Sequence, residues 1–168
     1  MKKTFVFLNT LSLFIFILAG CSNFTSTKSN DDLENSYTSE DEAFKSAKED
    51  RKDIQEIIGE TKYVDDEKIV IYTIKDRSNL GIGTATLTQV DNKVKWDFNS
   101  NPSIIKQPEG NTDIVNEIKT PSGKKYELYA GTPEKPNMTI ETKIDTEAKP
   151  HINKKYNIYY LLEPIPNS

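Results

Sequence analysis

KIVIYTIKDRSNLGIGTATLTQVDNKVKWDF, residues 68–98, is the stretch whose reading decides the fold. Its apolar residues recur with a period of two, the repeat of an extended chain. Ile69 and Ile71 point one way while Val70, Tyr72 and Ile74 point the other, so this strand is expected to be covered on both faces and central in its sheet. Segments 81–90 and 93–98 flank Asp91-Asn92, a pair suited to a tight hairpin turn. In the second arm Val94, Trp96 and Phe98 oppose Lys93, Lys95 and Asp97, the pattern of a half-buried antiparallel strand. Gly81-Ile82-Gly83 has no following helix and reads as close backbone packing or a bulge rather than a phosphate loop.

Working outward, 99–112 carries Pro102, Pro108 and Gly110 and is expected to be a long loop. Segments 114–119 and 124–130 flank Thr120-Pro121-Ser122-Gly123, a β-turn composition, and further strands are expected over 138–144 and 157–162. Upstream, Ser39 and Glu42 have capping-box spacing, and Glu40, Asp41 and Glu42 suit the positive end of a helix dipole. Phe44, Ala47, Ile54 and Ile58, joined by Ala43 and Ile57, then follow at helical spacings to Gly59, a candidate stop. The expectation is a helix over 40–58 and an α+β fold. One N-terminal helix packs on a curved antiparallel sheet, or a small β-sandwich, of about seven strands.

The chain has 168 residues, with 22 Lys and Arg against 26 Asp and Glu. Without residues 1–21 the apolar share falls from 35% to about 31%, and loss of Lys2 and Lys3 takes the formal charge from −4 to −6. No basic face for nucleic acid is available from that balance. One Cys and one His provide no disulfide framework and no Cys- or His-based metal site, so no cofactor is expected.

Lys2 and Lys3 precede an apolar run over 5–19, about 22 Å as a helix and short of the ~30 Å hydrocarbon core. Leu18-Ala19-Gly20-Cys21 follows, and this leader resembles the lipobox signal peptide of bacterial lipoproteins. The resemblance implies a signal peptide over 1–20 and a diacylglyceryl group on the Cys21 thiol. The protein would then be a lipid-anchored partner of the membrane, on the extracytoplasmic side of the cell membrane. Two acyl chains suffice for stable anchoring. Residues 21–38 read as a lipid-anchored disordered tether and 39–168 as a single α+β domain. The segments YELYAG at 126–131 and NIYYLLEP at 157–164 are similar to small lipoproteins of spore-forming Gram-positive bacteria, and 20 Lys against 2 Arg suits an AT-rich genome.

No catalytic motif stands out, and His151 lies among Lys149, Pro150, Asn153 and Lys154, a surface-loop setting. Asp65-Asp66-Glu67 could help hold calcium but lacks the spacing of a calcium loop and reads as a solvated turn. The aromatic residues offer more. Trp96, Tyr126, Tyr129, Tyr156, Tyr159 and Tyr160 fall on expected strands, and the adjacent Tyr159 and Tyr160 must face opposite ways. Core and rim is the plain reading of these rings. The alternative is an exposed row of Trp96, Tyr126, Tyr129, Tyr159 and Tyr160 that would bind a peptide, a glycan or a partner protein. The reading that follows is a non-enzymatic, lipid-anchored binding or interaction domain with a protein or cell-wall partner. An immunity or inhibitor lipoprotein, an accessory subunit of a membrane complex, and a cell-envelope hydrolase stand as alternatives.

Overall fold

The computed structural model describes residues 36–166. The expected signal peptide, the lipobox with Cys21, and the expected tether up to position 35 lie outside the described residues. The chain runs β1 (Ser36–Tyr37), α1 (Glu40–Asp50), β2 (Ile54–Glu60), β3 (Glu67–Asp76), β4 (Asn79–Val90), β5 (Lys93–Phe98), β6 (Ser103–Gln107) and β7 (Gly110–Asn111). These strands form one antiparallel sheet of order β1-β5-β4-β3-β2, with β6 on β4 and β7 on β6. Then β8 (Ile114–Lys119), β9 (Lys125–Gly131), β10 (His151–Asn153) and β11 (Ile158–Pro164) form a second sheet of order β10-β11-β9-β8.

Strand β3 explains the layering. Val70, Tyr72 and Ile74 join Ala43 and Ala47 of the helix in one core, together with Ile54, Leu87 and Val94. Ile71, on the opposite face, joins Ile82, Ile105, Ile118, Leu128 and Ile158 in a second core between the two sheets. The α+β architecture read from the sequence is the one observed, with the first sheet sandwiched between the helix and the second sheet.

Asp91 and Asn92 form the expected turn, with φ of 50° and 62°, and Gly123 adopts φ 90° in the turn after β8. Gly83 packs under Tyr72, where an added Cβ would sit 2.5 Å from the ring.

The helix is shorter than expected. It ends at Asp50, with Arg51 as its cap donating its N–H to the Ala47 carbonyl, and Ile54, Ile57 and Ile58 belong to β2 instead. The physical reason is a pair of register shifts. Ile54 pairs with Ile74, Ile57 with Tyr72 and Gly59 with Ile71, so the strand gains a residue twice in six. Each shift flips the alternation, leaving Ile54 and Ile57 on the helix-side core and Ile58 on the inter-sheet core. A twice-shifted strand therefore imitates helical spacing. Gly59 is no helix stop; it lies flat under Tyr160, where a Cβ would come within 2.6 Å of the ring.

Four smaller expectations also change. Ser39 caps the helix by accepting from the Glu42 N–H, but Glu42 reaches back to the N–H and hydroxyl of Thr38, one residue beyond a reciprocal box. Segment 99–112 contains β6 and β7. Segment 138–144 is not a strand; it lies in an excursion over the outer face of the second sheet, closed by an isolated bridge between Ile140 and Ala148. Ser36 and Tyr37, assigned to the tether, pair with Lys95 and Val94 and extend the first sheet.

Candidate functional site

Strand β5 places the site. Its alternation sends Val94, Trp96 and Phe98 toward the helix and Lys95 and Asp97 to the other face. Trp96 packs between Phe44 and Phe98, with ring centroids 5.7 and 5.8 Å away, and Tyr72 lies 6.2 Å from it. The contacts to Phe98 are edge-on, at 73° from Trp96 and 72° from Tyr72. Such pairs contribute about 0.5–1.5 kcal/mol each beyond their buried area. The cluster is therefore a packed aromatic platform.

Its outer end is open. Tyr37, Ala47, Asp50, Lys95, Trp96, Asp97 and Phe98 line a groove of about 320 Å³ that wraps the edge of β5. Phe98 is 38% exposed. The Tyr37 ring is fixed at the rim, its hydroxyl donating to Ser46 Oγ at 2.7 Å. The Arg51 guanidinium stands 5.6 Å over Phe98 while forking onto Asp53, and Lys48 Nζ stands 5.6 Å over Phe44. Cations on aromatic faces are attracted by the ring quadrupole, so both positions are self-consistent.

Three polar atoms in and beneath this groove are buried without a hydrogen-bond partner among the described residues: Tyr72 Oη, Trp96 Nε1 and Asp97 Oδ2. Unpaired buried polar groups cost about 1–3 kcal/mol each, and native proteins keep few of them. Burial pushes the Tyr72 hydroxyl up to about 12, so it stays a neutral donor at physiological pH. The other Asp97 oxygen pairs with Lys95 at 3.1 Å. Asp50, exposed at the last position of the helix, places a negative charge at the negative end of the dipole, against the usual preference.

The remaining candidates from the sequence sit elsewhere. Tyr126 and Tyr160 face inward and pack on the inter-sheet core. The Tyr160 hydroxyl donates to the Ile58 carbonyl at 2.5 Å, and its ring stacks on His151 at 5.5 Å. Tyr129, on the outer face, donates to Glu127 and accepts from the Lys143 N–H, which pins the excursion over the second sheet. Tyr159 is buried, and burial reinforced by Asp113 pushes its hydroxyl up to about 12. The expected aromatic row is thus divided between two cores and a covered outer face, and of its five members Trp96 alone lines the groove. Tyr156 lies in a turn, not on a strand, and its carbonyl accepts from Lys106 Nζ. His151 is exposed on β10 rather than in a loop.

The acidic turn spreads its side chains. Asp65 pairs with Lys124 at 3.0 Å, whereas Glu67 is buried and accepts from the Thr120 hydroxyl and from the Ser122 N–H and hydroxyl. Among the described residues no group of three or more His, Cys, Asp or Glu side chains is gathered. A larger cavity of about 550 Å³ lies between the helix N-terminus and the turns at 65–66 and 91–92. Its lining holds no aromatic ring, and its Glu40 is engaged by Tyr63 and Lys68. The β5 groove is the better candidate.

No protein-family model, curated protein or solved structure matches this chain.

Tyr37, Asp50, Arg51 and Phe98 were not among the residues singled out as a binding surface from the sequence. Phe98 had a visible signal, because it ends the Val94-Trp96-Phe98 alternation just before a polar, Pro-containing stretch. A ring at the end of a strand is covered on fewer sides than one in its middle.

Proposed function

We propose that this protein is a lipid-anchored extracytoplasmic binding module, held by an acylated Cys21, whose ligand sits in the Tyr37–Trp96–Phe98 groove. The single observation that carries the reading is the coincidence of an open aromatic platform with unpaired buried polar atoms in one place. Pockets that bind small molecules combine apolar walls with a few placed polar groups. The anchor supports the same reading. Fifteen positions separate Cys21 from Ser36, which bounds the start of β1 to within ~50 Å of the membrane surface. A groove built on β1 and β5 then works close to the envelope. Its role is to bind rather than to transform.

The test uses the full chain in its membrane, with a photocrosslinking residue in place of Phe98 or, as control, Val115, which is 58% exposed on the second sheet. Crosslinks are expected from position 98 and not from 115. Cys21→Ala should abolish alkyne fatty-acid labelling and release the chain from the membrane fraction. Label that persists on Cys21→Ala would defeat the anchor; equal crosslinking from both positions would defeat the groove.

A further inference from the structure

Resting on that reading, we infer that the β5 groove takes a neutral glycan, with an uncharged pyranose ring laid against Phe98 and Trp96 and its hydroxyls turned to Asp97 and Asp50. Three features select this ligand class. The first is charge. Asp50 and Asp97 against Lys95 leave the groove acidic by one, on a chain of formal charge −4, which disfavours phosphates and other anions. Lys48 and Arg51 stand over Phe44 and Phe98 but do not line the groove, so a cation is disfavoured by the atoms it must meet there and not by charge.

The second feature is the mix of unpaired atoms. Trp96 Nε1 can only donate and Asp97 Oδ2 can only accept, and both residues line the groove, whereas Tyr72 Oη lies beneath it and outside the lining. An ammonium group offers donors alone and a phosphate dianion offers acceptors alone. Sugar hydroxyls each offer both, and several of them surround the ring. The third is shape. A pyranose ring has an apolar C–H face about the size of a benzene ring and a polar edge at right angles to it. Phe98 and Trp96 present an aromatic wall, and the carboxylates of Asp50 and Asp97 line the same groove. The indole N–H is buried, so engaging it takes a small rotation of Trp96, and that rotation is observable.

Trp96 is the one tryptophan in the chain, so intrinsic fluorescence reports on the groove directly. The full chain in a zwitterionic detergent is titrated with tetra-N-acetylchitotetraose and cellotetraose, both uncharged, and separately with inorganic phosphate and a capped neutral peptide. A saturable change is expected with at least one of the two sugars, at a roughly millimolar midpoint, and none with phosphate. Phe98→Ala and Asp97→Asn should each weaken it about tenfold. Asp50→Asn, at an exposed position that folding tolerates, should weaken it severalfold and serves if either of the others fails to fold. No response to either sugar, or a response unchanged in Phe98→Ala and Asp50→Asn, overturns the glycan assignment. A Phe98-dependent response to the peptide instead overturns the ligand class and leaves the binding module standing. Loss of both this response and the position-98 crosslinks removes both.

Discussion

Strand β3 serves two cores at once, and they treat polar atoms differently. The inter-sheet core takes Ile71 and surrounds it with Ile82, Ile105, Ile118, Leu128 and Ile158. Polar groups around it are paired across the gap between sheets: Glu67 to Thr120 and Ser122, Asn116 to Ser103, Lys106 to the Tyr156 carbonyl, Tyr160 to the Ile58 carbonyl. The helix-side core takes Val70, Tyr72 and Ile74 and builds on rings, yet leaves Tyr72 Oη and Trp96 Nε1 unpaired. A core closed between two sheets can satisfy most of its polar groups from its own chain; Thr88 Oγ1, on the same face of β4 as Ile82, is an exception. A core that opens at a strand end can leave donors to solvent or a ligand, at a cost in stability. The first holds the molecule together; the second gives it a surface to use.

The largest expected effect separates the two directly. Ile158 is fully buried between the sheets, and Ile158→Ala should cost about 2–5 kcal/mol through lost transfer energy and a residual cavity. Phe98→Ala, at the open end of the other core, should cost less, about 1–2 kcal/mol, because the ring is 38% exposed and gives up mainly its two edge-on ring contacts. Urea unfolding of the two variants of the full chain measures both. Equal losses would mean that the groove is as sealed as the inter-sheet core, and the contrast drawn here would fail.

The next effect concerns the lock at Glu67. Burial on its own would raise this carboxyl, but the hydroxyl and N–H of Ser122, the hydroxyl of Thr120 and the charge of Lys124 outweigh it and hold the group below its ordinary value. A folded-state value below the unfolded one means stability that is complete above the ordinary carboxylate range. It is lost as pH falls through the folded value. Glu67→Gln places an amide N–H₂ where a donor already points and should cost about 1–3 kcal/mol near neutrality. Urea midpoints followed on acidification should fall more steeply for the parent than for Glu67→Gln, with the two converging at low pH. Parallel curves would mean that Glu67 does not carry the lock.

How much of this could be read from residues alone depends on how regular each element is. Strands β3, β4 and β5 keep strict alternation and a two-residue turn at Asp91-Asn92, so the hairpin of β4 with β5 and the double-sided burial of β3 were legible, whereas the pairing of β3 with β4 was not read. Strand β2 was not, because its two register shifts convert a period of two into the 54, 57, 58 spacing of a helix face. Tyr37 was hidden for another reason: its segment is too short and polar to show a period, and its place comes from pairing with Val94 some sixty residues later. The aromatic residues were correctly expected on strands at five of six positions. Which rings share a surface is set by how the second sheet lies over the first, and no local pattern encodes that. Asp50 carried a signal of a different kind, since a carboxylate at a helix C-terminus breaks a local preference, and such departures concentrate where function competes with stability.

That last point gives the smallest prediction and one of opposite sign. At the end of α1 the exposed backbone carbonyls carry about half a negative charge, and Glu49 and Asp50 add two more. Asp50→Lys replaces repulsion by attraction, and neither residue three or four positions earlier, Ala47 or Ser46, is charged to oppose it. The variant should therefore be more stable than the parent by a few tenths to about 1 kcal/mol at low ionic strength, with the gain shrinking as salt is added. The same change reverses the charge at the rim of the groove and removes an acceptor, so the sugar-dependent change in Trp96 fluorescence should weaken. A rise in urea midpoint together with weaker binding is the signature of a residue kept for its ligand against the interest of its helix. A fall in midpoint would show instead that Asp50 supports the fold, and the groove would lose one of the two carboxylates assigned to it.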